Sequence, residues 1–216
     1  MTKVNVEGPE LLCLGAEGSG KTLLLKRLEH EVSCRSWDGP VSSTDAILSS
    51  FQSKLPFHTA TIGTDIINLK FTSSVSPQNG TNSKKAKMAK HDHGKSLQIR
   101  ELGGQMAKIW PSYYQRSSAV MFVIDSANPF DTSVVINLLT ECFQHKDLVG
   151  KPFLVVFAKT DILGPLTVER LKESMQLESI LDIQNRSEKT KEIHCSALQS
   201  DSAKIKEIIT WLLTVS

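Results

Sequence analysis

GAEGSGKT, residues Gly15–Thr22, lies between an apolar run at Leu11–Leu14 and a helical pattern from Lys21 to Glu31. The segment fits G-x-x-x-x-G-K-[ST], in which glycines let successive backbone N–H groups point at phosphate oxygens and the following helix adds its positive end. The lysine of this pattern reaches the β- and γ-phosphates, and the hydroxyl after it takes one position on Mg²⁺. The predicted triphosphate site consists of Gly15, Ala16, Glu17, Gly18, Ser19, Gly20, Lys21 and Thr22.

Apolar runs alternate with helical patterns along the chain. The predicted strands are Leu11–Leu14, Ile66–Phe71, Leu97–Ile99, Ala119–Asp125, Phe153–Ala158 and Ile193–Cys195. The predicted helices are Lys21–Glu31, Asp131–His145, Thr167–Met175 and Ala203–Leu213. This alternation predicts an α/β fold with a sheet of about six mostly parallel strands and helices on both faces.

Bulk composition excludes several classes of protein. The 216 residues carry a net charge of +2, so bulk charge does not favour a nucleic-acid partner. The four cysteines are far apart, and no signal-peptide pattern or membrane-length apolar run is present. Thr2 and the final Leu-Thr-Val-Ser offer no motif for a lipid anchor. We expect one domain over residues 1–216, a monomer in the cytoplasm that reaches membranes only peripherally.

Two insertions interrupt this pattern, at about residues 33–58 and 72–95. The first contains a short amphipathic helix candidate at Asp45–Leu55. The second has no apolar period and reads as a mobile surface loop. Its charged residues from position 84 onward are Lys84, Lys85, Lys87, Lys90, Asp92 and Lys95. A solvated loop is one interpretation, and an electrostatic contact of residues 84–95 with anionic lipid, nucleic acid or an acidic partner is the other.

Three further motifs follow predicted strands in a defined order. RELGGQ occupies residues 100–105, AKTD residues 158–161 and SAL residues 196–198. In order and spacing, these motifs and the glycine-rich loop resemble the small GTPases of the Ras superfamily. The GGQ triplet, with KIWP at 108–111 and two tyrosines after it, resembles the ADP-ribosylation-factor family. The resemblance covers the chain outside the insertions and implies the P-loop fold of small GTPases.

The resemblance implies that the bound nucleotide is GTP or GDP. The Asp161 carboxylate can accept from both the ring N1–H and the exocyclic amine of guanine, whereas adenine presents an acceptor at N1 and leaves it unpaired. Ala158 and Lys159 belong to the same motif, and Lys159 is expected to lie along the base and ribose. The other side of the base is expected to be closed by Ser196, Ala197 and Leu198.

The resemblance also implies a conformational switch. Thr61 matches the threonine that binds Mg²⁺ only while a γ-phosphate is present, and the Gly104 amide is expected to hold that phosphate. Gln105 is the expected catalytic residue because it matches the glutamine that orients the attacking water. The implied metal ligands are Thr22, Thr61 and Glu101. Intrinsic hydrolysis in such proteins is on the order of 10⁻⁴ to 10⁻² per second, so effectors, an exchange factor and an activating protein are implied partners.

Three positions depart from the family pattern. Glu101 stands where the family has Asp, which lengthens the carboxylate stem by about 1.5 Å. Ala158 replaces an asparagine and removes a hydrogen bond worth about 0.5–1.5 kcal/mol. Glu17 lies near the expected γ-phosphate, where its charge opposes rapid turnover.

These departures leave several functions open. The favoured one is a slowly hydrolysing GTP switch that signals to effectors in membrane or ciliary traffic. The alternatives are a GTP-binding module with little or no hydrolysis, an interaction protein that acts through its basic insertion, and an ATP-using enzyme.

Trp110, Tyr113 and Tyr114 follow the predicted catalytic glutamine. Exposed aromatic side chains make good interface anchors, so these three residues are candidates for an effector surface. The alternative is that one or two of them belong to the core. Burial is the observation that separates these interpretations.

Overall fold

The computed structural model describes residues 10–34, 44–53, 61, 63–71, 95–128, 131–162, 165–199 and 202–216. Within them, six strands form one sheet in the order β2-β3-β1-β4-β5-β6. The strands are β1 Glu10–Leu14, β2 Thr64–Phe71, β3 Lys95–Leu102, β4 Ser117–Asp125, β5 Phe153–Ala158 and β6 Thr190–His194. Of these strands only β2 is antiparallel to its neighbour, which confirms the predicted mostly parallel sheet.

Helices cover both faces of the sheet, as the alternating pattern predicts. They are α1 Lys21–Cys34, α2 Thr44–Gln52, α3 Pro111–Tyr114, α4 Thr132–Gln144, α5 Pro165–Met175, α6 Leu177–Leu181 and α7 Ser202–Val215. Within the described part of the chain, no helix has the length and apolar character that crossing a membrane requires.

The side-chain alternation of the strands divides the core in two. On β1, Leu11 and Cys13 pack on one face with α1 and α7, while Leu12 and Leu14 pack on the other face with α4 and α5. The central strands β4 and β5 are buried on both faces, which explains their nearly continuous apolar sequence. The sheet is therefore the middle layer of the fold, with a hydrophobic core and helices on each of its two faces.

The first insertion contributes a helix that docks on α1. Helix α2 confirms the candidate at Asp45–Leu55 but ends at Gln52. Its Phe51 is buried, with the Arg27 guanidinium carbon 5.4 Å from the ring centre. The backbone carbonyl of Ile47 lies 3.1 Å from His30 Nε2. Residues 72–94 of the second insertion, with four of the five lysines predicted to meet an anionic partner, lie outside the described residues. The fifth, Lys95, begins β3 and donates to the Leu213 carbonyl at 2.9 Å.

The predicted motifs lie at one edge of the sheet. β1, β3, β4, β5 and β6 run in the same direction, so their carboxyl ends meet there. The glycine-rich loop follows β1, GGQ follows β3, AKTD begins at the last residue of β5 and SAL follows β6. In open α/β sheets this edge is where ligands bind.

Gly15 begins the loop in direct contact with the neighbouring strand. Its φ is +144°, and a Cβ on it would lie 2.2 Å from the Val123 carbonyl oxygen of β4. Gly18 also has a positive φ, of +71°, but a Cβ there would meet nothing within 4 Å. An alanine at Gly15 therefore adds steric overlap to backbone strain, whereas an alanine at Gly18 adds backbone strain alone.

We expect Gly15→Ala to lower the free energy of unfolding by about 3 kcal/mol, since overlap adds to strain, and Gly18→Ala by about 1 kcal/mol. Urea denaturation of the nucleotide-free protein measures both. Equal losses in the two variants would contradict the close approach of Gly15 to β4.

Candidate nucleotide-binding site

The glycine-rich loop curls around the side chain of Lys21. The Lys21 ammonium donates to the carbonyl oxygens of Gly15 and Ala16, at 2.9 and 2.7 Å, and lies 3.4 Å from Ser19 Oγ. Lys21 is only 5% exposed, and this burial lowers its pKa, while the negative field of Glu101 and Glu17 opposes the shift. A buried ammonium whose contacts in the loop are neutral oxygens is a site for an anion.

Three oxygen-bearing side chains meet beside this loop. Thr22 Oγ1 donates to Glu101 Oε1 at 2.6 Å, and Thr61 Oγ1 lies 2.9 Å from Thr22 Oγ1 and 3.3 Å from the same carboxylate oxygen. Glu101 is fully buried, and its Oε2 has no hydrogen-bond partner within the described ranges. The structure thus brings together the three residues that the sequence predicts as metal ligands.

A cavity of about 330 Å³ opens over the loop and this oxygen cluster. Its walls combine the loop with residues from three other parts of the chain. The lining residues are Glu17, Gly18, Gly20, Lys21, Thr22, Leu23, Thr61, Glu101, Gly104 and Lys159. Lys21 and Lys159 are among the lining residues, and their positive charge suits phosphate groups.

The segment after β3 lies directly against the glycine-rich loop. A Cβ on Gly104 would be 2.2 Å from the Glu17 backbone nitrogen, so only glycine fits there. The Gly103 N–H donates to the Gly63 carbonyl at 3.1 Å. The two segments that the sequence predicts as switches are therefore hydrogen-bonded to each other.

Gln105 is exposed and points at the glycine-rich loop. Its Nε2 donates to Glu17 Oε1 at 2.8 Å. The sequence placed both residues near the γ-phosphate position but did not predict this bond. The contact holds the Gln105 amide against the glycine-rich loop.

Asp125, at the end of β4, is a site residue that the sequence analysis missed. Its Oδ2 lies 2.6 Å from Lys159 Nζ, which also donates to the Gly18 carbonyl at 2.7 Å. Lys159 has a φ of +61° and bridges β4 to the glycine-rich loop. The signal in the sequence was a single carboxylate directly after the apolar run Ala119–Ile124.

Of the residues predicted to bind the base, only Lys159 is among the described residues that line the phosphate cavity. Among the described residues, Asp161 and the 196–198 segment do not line that cavity. Ala158 is buried, and its Cβ would lie 4.0 Å from a Cβ on Gly20, so the site of the missing asparagine side chain faces the loop. The Ser196 hydroxyl accepts from the amides of Leu198 and Gln199, both at 3.1 Å, and so shapes its own turn.

Comparison with known proteins identifies the family. A family model described as the ADP-ribosylation factor family matches residues 60–215. The chain belongs to this family. The match begins beyond the glycine-rich loop, but a longer alignment includes most of the chain: human ADP-ribosylation factor-like protein 16 is 27% identical over 201 residues, covering 93% of this chain and 83% of that protein.

Other members of the family agree with this assignment. ADP-ribosylation factor-like protein 15 from Bos taurus is 29% identical over 174 residues, which cover 79% of this chain and 65% of that protein. Among solved structures, the Arl6 BBS3 small GTPase of Trypanosoma brucei, with bound nucleotide analogue GppNp, matches with a TM-score of 0.61. At 19% identity over 95% of both chains, that match supports the shared fold.

As an ADP-ribosylation factor family member, the chain is a small GTPase that acts as a GTP-binding switch. Proteins of this kind work with effectors, exchange factors and activating proteins. The six-stranded sheet with its glycine-rich loop is the fold that the family predicts.

Two of the three aromatic residues proposed as an effector surface are core residues. Trp110 is 1% exposed and Tyr114 is 3% exposed, so for both the contact-surface interpretation is wrong and the alternative, that they belong to the core, is confirmed. Tyr113 is half-buried, with the Arg100 guanidinium carbon 5.4 Å from its ring centre. Burial under α4 and β4 is a tertiary effect that the local sequence pattern does not reveal.

The inserted helix α2 reaches the loop that is predicted to cover the guanine base. Gln52 Nε2 donates to the Leu198 carbonyl at 2.8 Å. Because Phe51 anchors the same end of α2 on α1, this hydrogen bond ties the loop after β6 to the helix that follows the glycine-rich loop. A helix outside the common family pattern thus restrains a predicted nucleotide-binding segment.

We expect Gln52→Ala to speed the release of bound GDP about 3- to 10-fold, because one hydrogen bond worth about 1 kcal/mol no longer restrains the loop. Displacement of fluorescent GDP by excess GDP measures the rate. Gln144→Ala, at an exposed helix end on the opposite edge of the sheet, is the matched control. An unchanged rate in Gln52→Ala would mean that α2 does not restrain the loop.

Proposed function

We propose that this protein binds Mg²⁺·GTP, hydrolyses it slowly through Gln105, and uses the γ-phosphate to control a surface that effectors recognise. The observation that carries the proposal is the convergence of Thr22, Thr61 and Glu101 beside the glycine-rich loop. The three residues come from three separate segments of the chain, and all three line the phosphate cavity.

The oxygen cluster fits a magnesium ion. Neighbouring ligands of an octahedral Mg²⁺ at about 2.1 Å lie about 3.0 Å apart, close to the observed spacings of 2.6, 2.9 and 3.3 Å. The open Oε2 of buried Glu101 adds a charged acceptor that a cation or its water would satisfy. When bound, Mg²⁺ would neutralise charge on the β- and γ-phosphates.

Two hydrogen-bonded segments, one carrying Thr61 and the other Gly104, form the proposed conformational switch. In the proposal, the Gly104 N–H and the Thr61 hydroxyl both sense the γ-phosphate. The bond from Gly103 N–H to the Gly63 carbonyl links the segments that carry these two groups. Loss of the phosphate removes a partner from both segments at once, so they relax together and the exposed surface changes.

Guanine selection is assigned to Asp161. Loops after neighbouring parallel strands bring Asp161 and the 196–198 turn to the same side of the sheet, where Cys195 N–H donates to the Phe157 carbonyl at 2.9 Å. A carboxylate at this place pairs with the two N–H donors of guanine and with none of the acceptors that adenine offers. The ATP-using alternative therefore requires a different partner for the base.

We expect Asp161→Ala to weaken GTP binding roughly 10- to 100-fold while ATP binding stays the same, because only guanine loses a partner. Competition of GTP and ATP against a fluorescent GTP analogue measures both affinities. Asp182→Ala, an exposed aspartate before β6 at the opposite edge, is the control. If ATP competes as well as GTP against the unaltered protein, the proposed guanine specificity is wrong.

Slow hydrolysis is supported by the bond between Gln105 and Glu17. In this position the Gln105 amide donates to the Glu17 carboxylate, so it does not orient an attacking water. Glu17 also places a negative charge at the rim of the cavity that the phosphates would occupy. The same observation favours the second candidate, a GTP-binding module with little hydrolysis that acts through protein contacts.

We expect Glu17→Ala to raise single-turnover hydrolysis of GTP about 3- to 10-fold, since Gln105 is released and the local charge is removed. Glu17→Gln removes the charge but keeps a hydrogen-bond acceptor, so a smaller gain is expected. Gln105→Leu should abolish the gain in a double variant with Glu17→Ala. Absence of phosphate release in every variant, with or without a cell extract, would support the binding module instead.

The cellular setting stays a prediction from the family resemblance. We propose a cytoplasmic, peripherally membrane-associated protein whose effectors act in membrane or ciliary traffic. Support comes only from sequence similarity to ADP-ribosylation factor-like proteins. A GTP-locked Gln105→Leu variant that stays entirely in the soluble cell fraction would argue against the membrane association.

A further inference from the structure

The indole of Trp110 is hydrogen-bonded to the backbone of the predicted γ-phosphate sensor. Trp110 Nε1 donates to the Gly103 carbonyl oxygen at 3.2 Å. The same oxygen accepts the Met106 N–H at 3.0 Å. Two donors therefore hold this carbonyl in one direction.

The carbonyl of Gly103 and the N–H of Gly104 belong to one planar peptide unit. In a trans peptide the C=O and N–H bonds point in opposite directions, so fixing the oxygen also fixes the amide hydrogen. Gly104 lines the phosphate cavity, whereas Trp110 is buried behind it. The bond from Trp110 thus turns the Gly104 N–H away from the core and toward the cavity side.

The two glycines make such a tether necessary. A peptide unit between glycines meets little steric resistance to rotation, because neither residue has a Cβ. Gly104 cannot gain a side chain, since a Cβ would lie 2.2 Å from the Glu17 backbone nitrogen. The orientation of this peptide must therefore come from hydrogen bonds.

The tether is anchored in the core. The Trp110 ring packs edge-on against Phe122 of β4, with ring centres 6.3 Å apart and an interplanar angle of 82°. Trp110 is among the largest fully buried side chains of the described residues. The rigid central strand β4 therefore sets the position of the indole N–H.

We propose that Trp110 is a positioning residue that holds the Gly104 amide ready for the γ-phosphate and so sets the preference for GTP over GDP. The proposal rests on the proposed function, because it assigns a supporting residue to the same site. GDP lacks the phosphate that this amide would contact. Loss of the indole N–H therefore weakens triphosphate binding selectively.

The test is Trp110→Phe, which removes the N–H and keeps an aromatic ring in the core. Affinities for GppNp and for GDP, each with Mg²⁺, are measured by calorimetry. We expect the affinity for GppNp to fall roughly 3- to 10-fold and that for GDP to stay unchanged. A purely structural role for Trp110 would weaken both ligands equally, and that result would overturn the proposal.

Trp211→Phe is the matched control, since it makes the same chemical change at a buried tryptophan on the opposite face of the sheet. Its GppNp-to-GDP affinity ratio should equal that of the unaltered chain. If Trp110→Phe does not fold, benzothienylalanine at position 110 keeps the indole shape without the N–H, and the same selective loss is expected.

The outcomes separate this proposal from the proposed function. If the unaltered protein binds neither GppNp nor GDP, the proposed function fails. If it binds both and the Trp110 variants keep the original affinity ratio, only the positioning role fails.

Discussion

The parallel pairing of β1 with β3 and β4 is the constraint on which the site depends. Because these strands run in the same direction, their carboxyl ends bring the glycine-rich loop, Glu101 and Asp125 to one edge of the sheet. Gly15 touches the backbone of β4 so closely that the loop has no freedom to begin elsewhere. A phosphate-binding loop at a defined place in a rigid sheet is the result.

The charges at this edge are arranged for an anionic ligand. Lys21 is buried with its ammonium on the carbonyl oxygens of Gly15 and Ala16, and its burial lowers the pKa. A buried cation bonded to neutral oxygens gains when a phosphate supplies the counter-charge. Lys159 is instead paired with Asp125, so it contributes more to holding the loop than to attracting a ligand. The two lysines therefore have different roles.

The sequence predicted the six strands and helices α1, α2, α4, α5 and α7, but not the short helices α3 and α6. It also predicted Thr22, Thr61 and Glu101 as one set of metal ligands, and the structure brings them together. What it left open and what it missed share one cause. It left open whether Trp110 and Tyr114 are surface or core residues and did not identify Asp125, because the sequence does not show which side chains meet across strands. The bond between Gln105 and Glu17 was missed for the same reason. Each of these features depends on contacts between residues far apart in the chain.

The sequence by itself determined the α/β architecture and the chemistry of the glycine-rich loop, since apolar periodicity and the spacing of glycine, lysine and threonine are local properties. Only the tertiary structure decided the orientation of the Gly103–Gly104 peptide, the docking of α2 on α1 and the pairing of Lys159 with Asp125. The physical reason is that burial and strand pairing choose partners by proximity in space, which no local pattern of residues specifies.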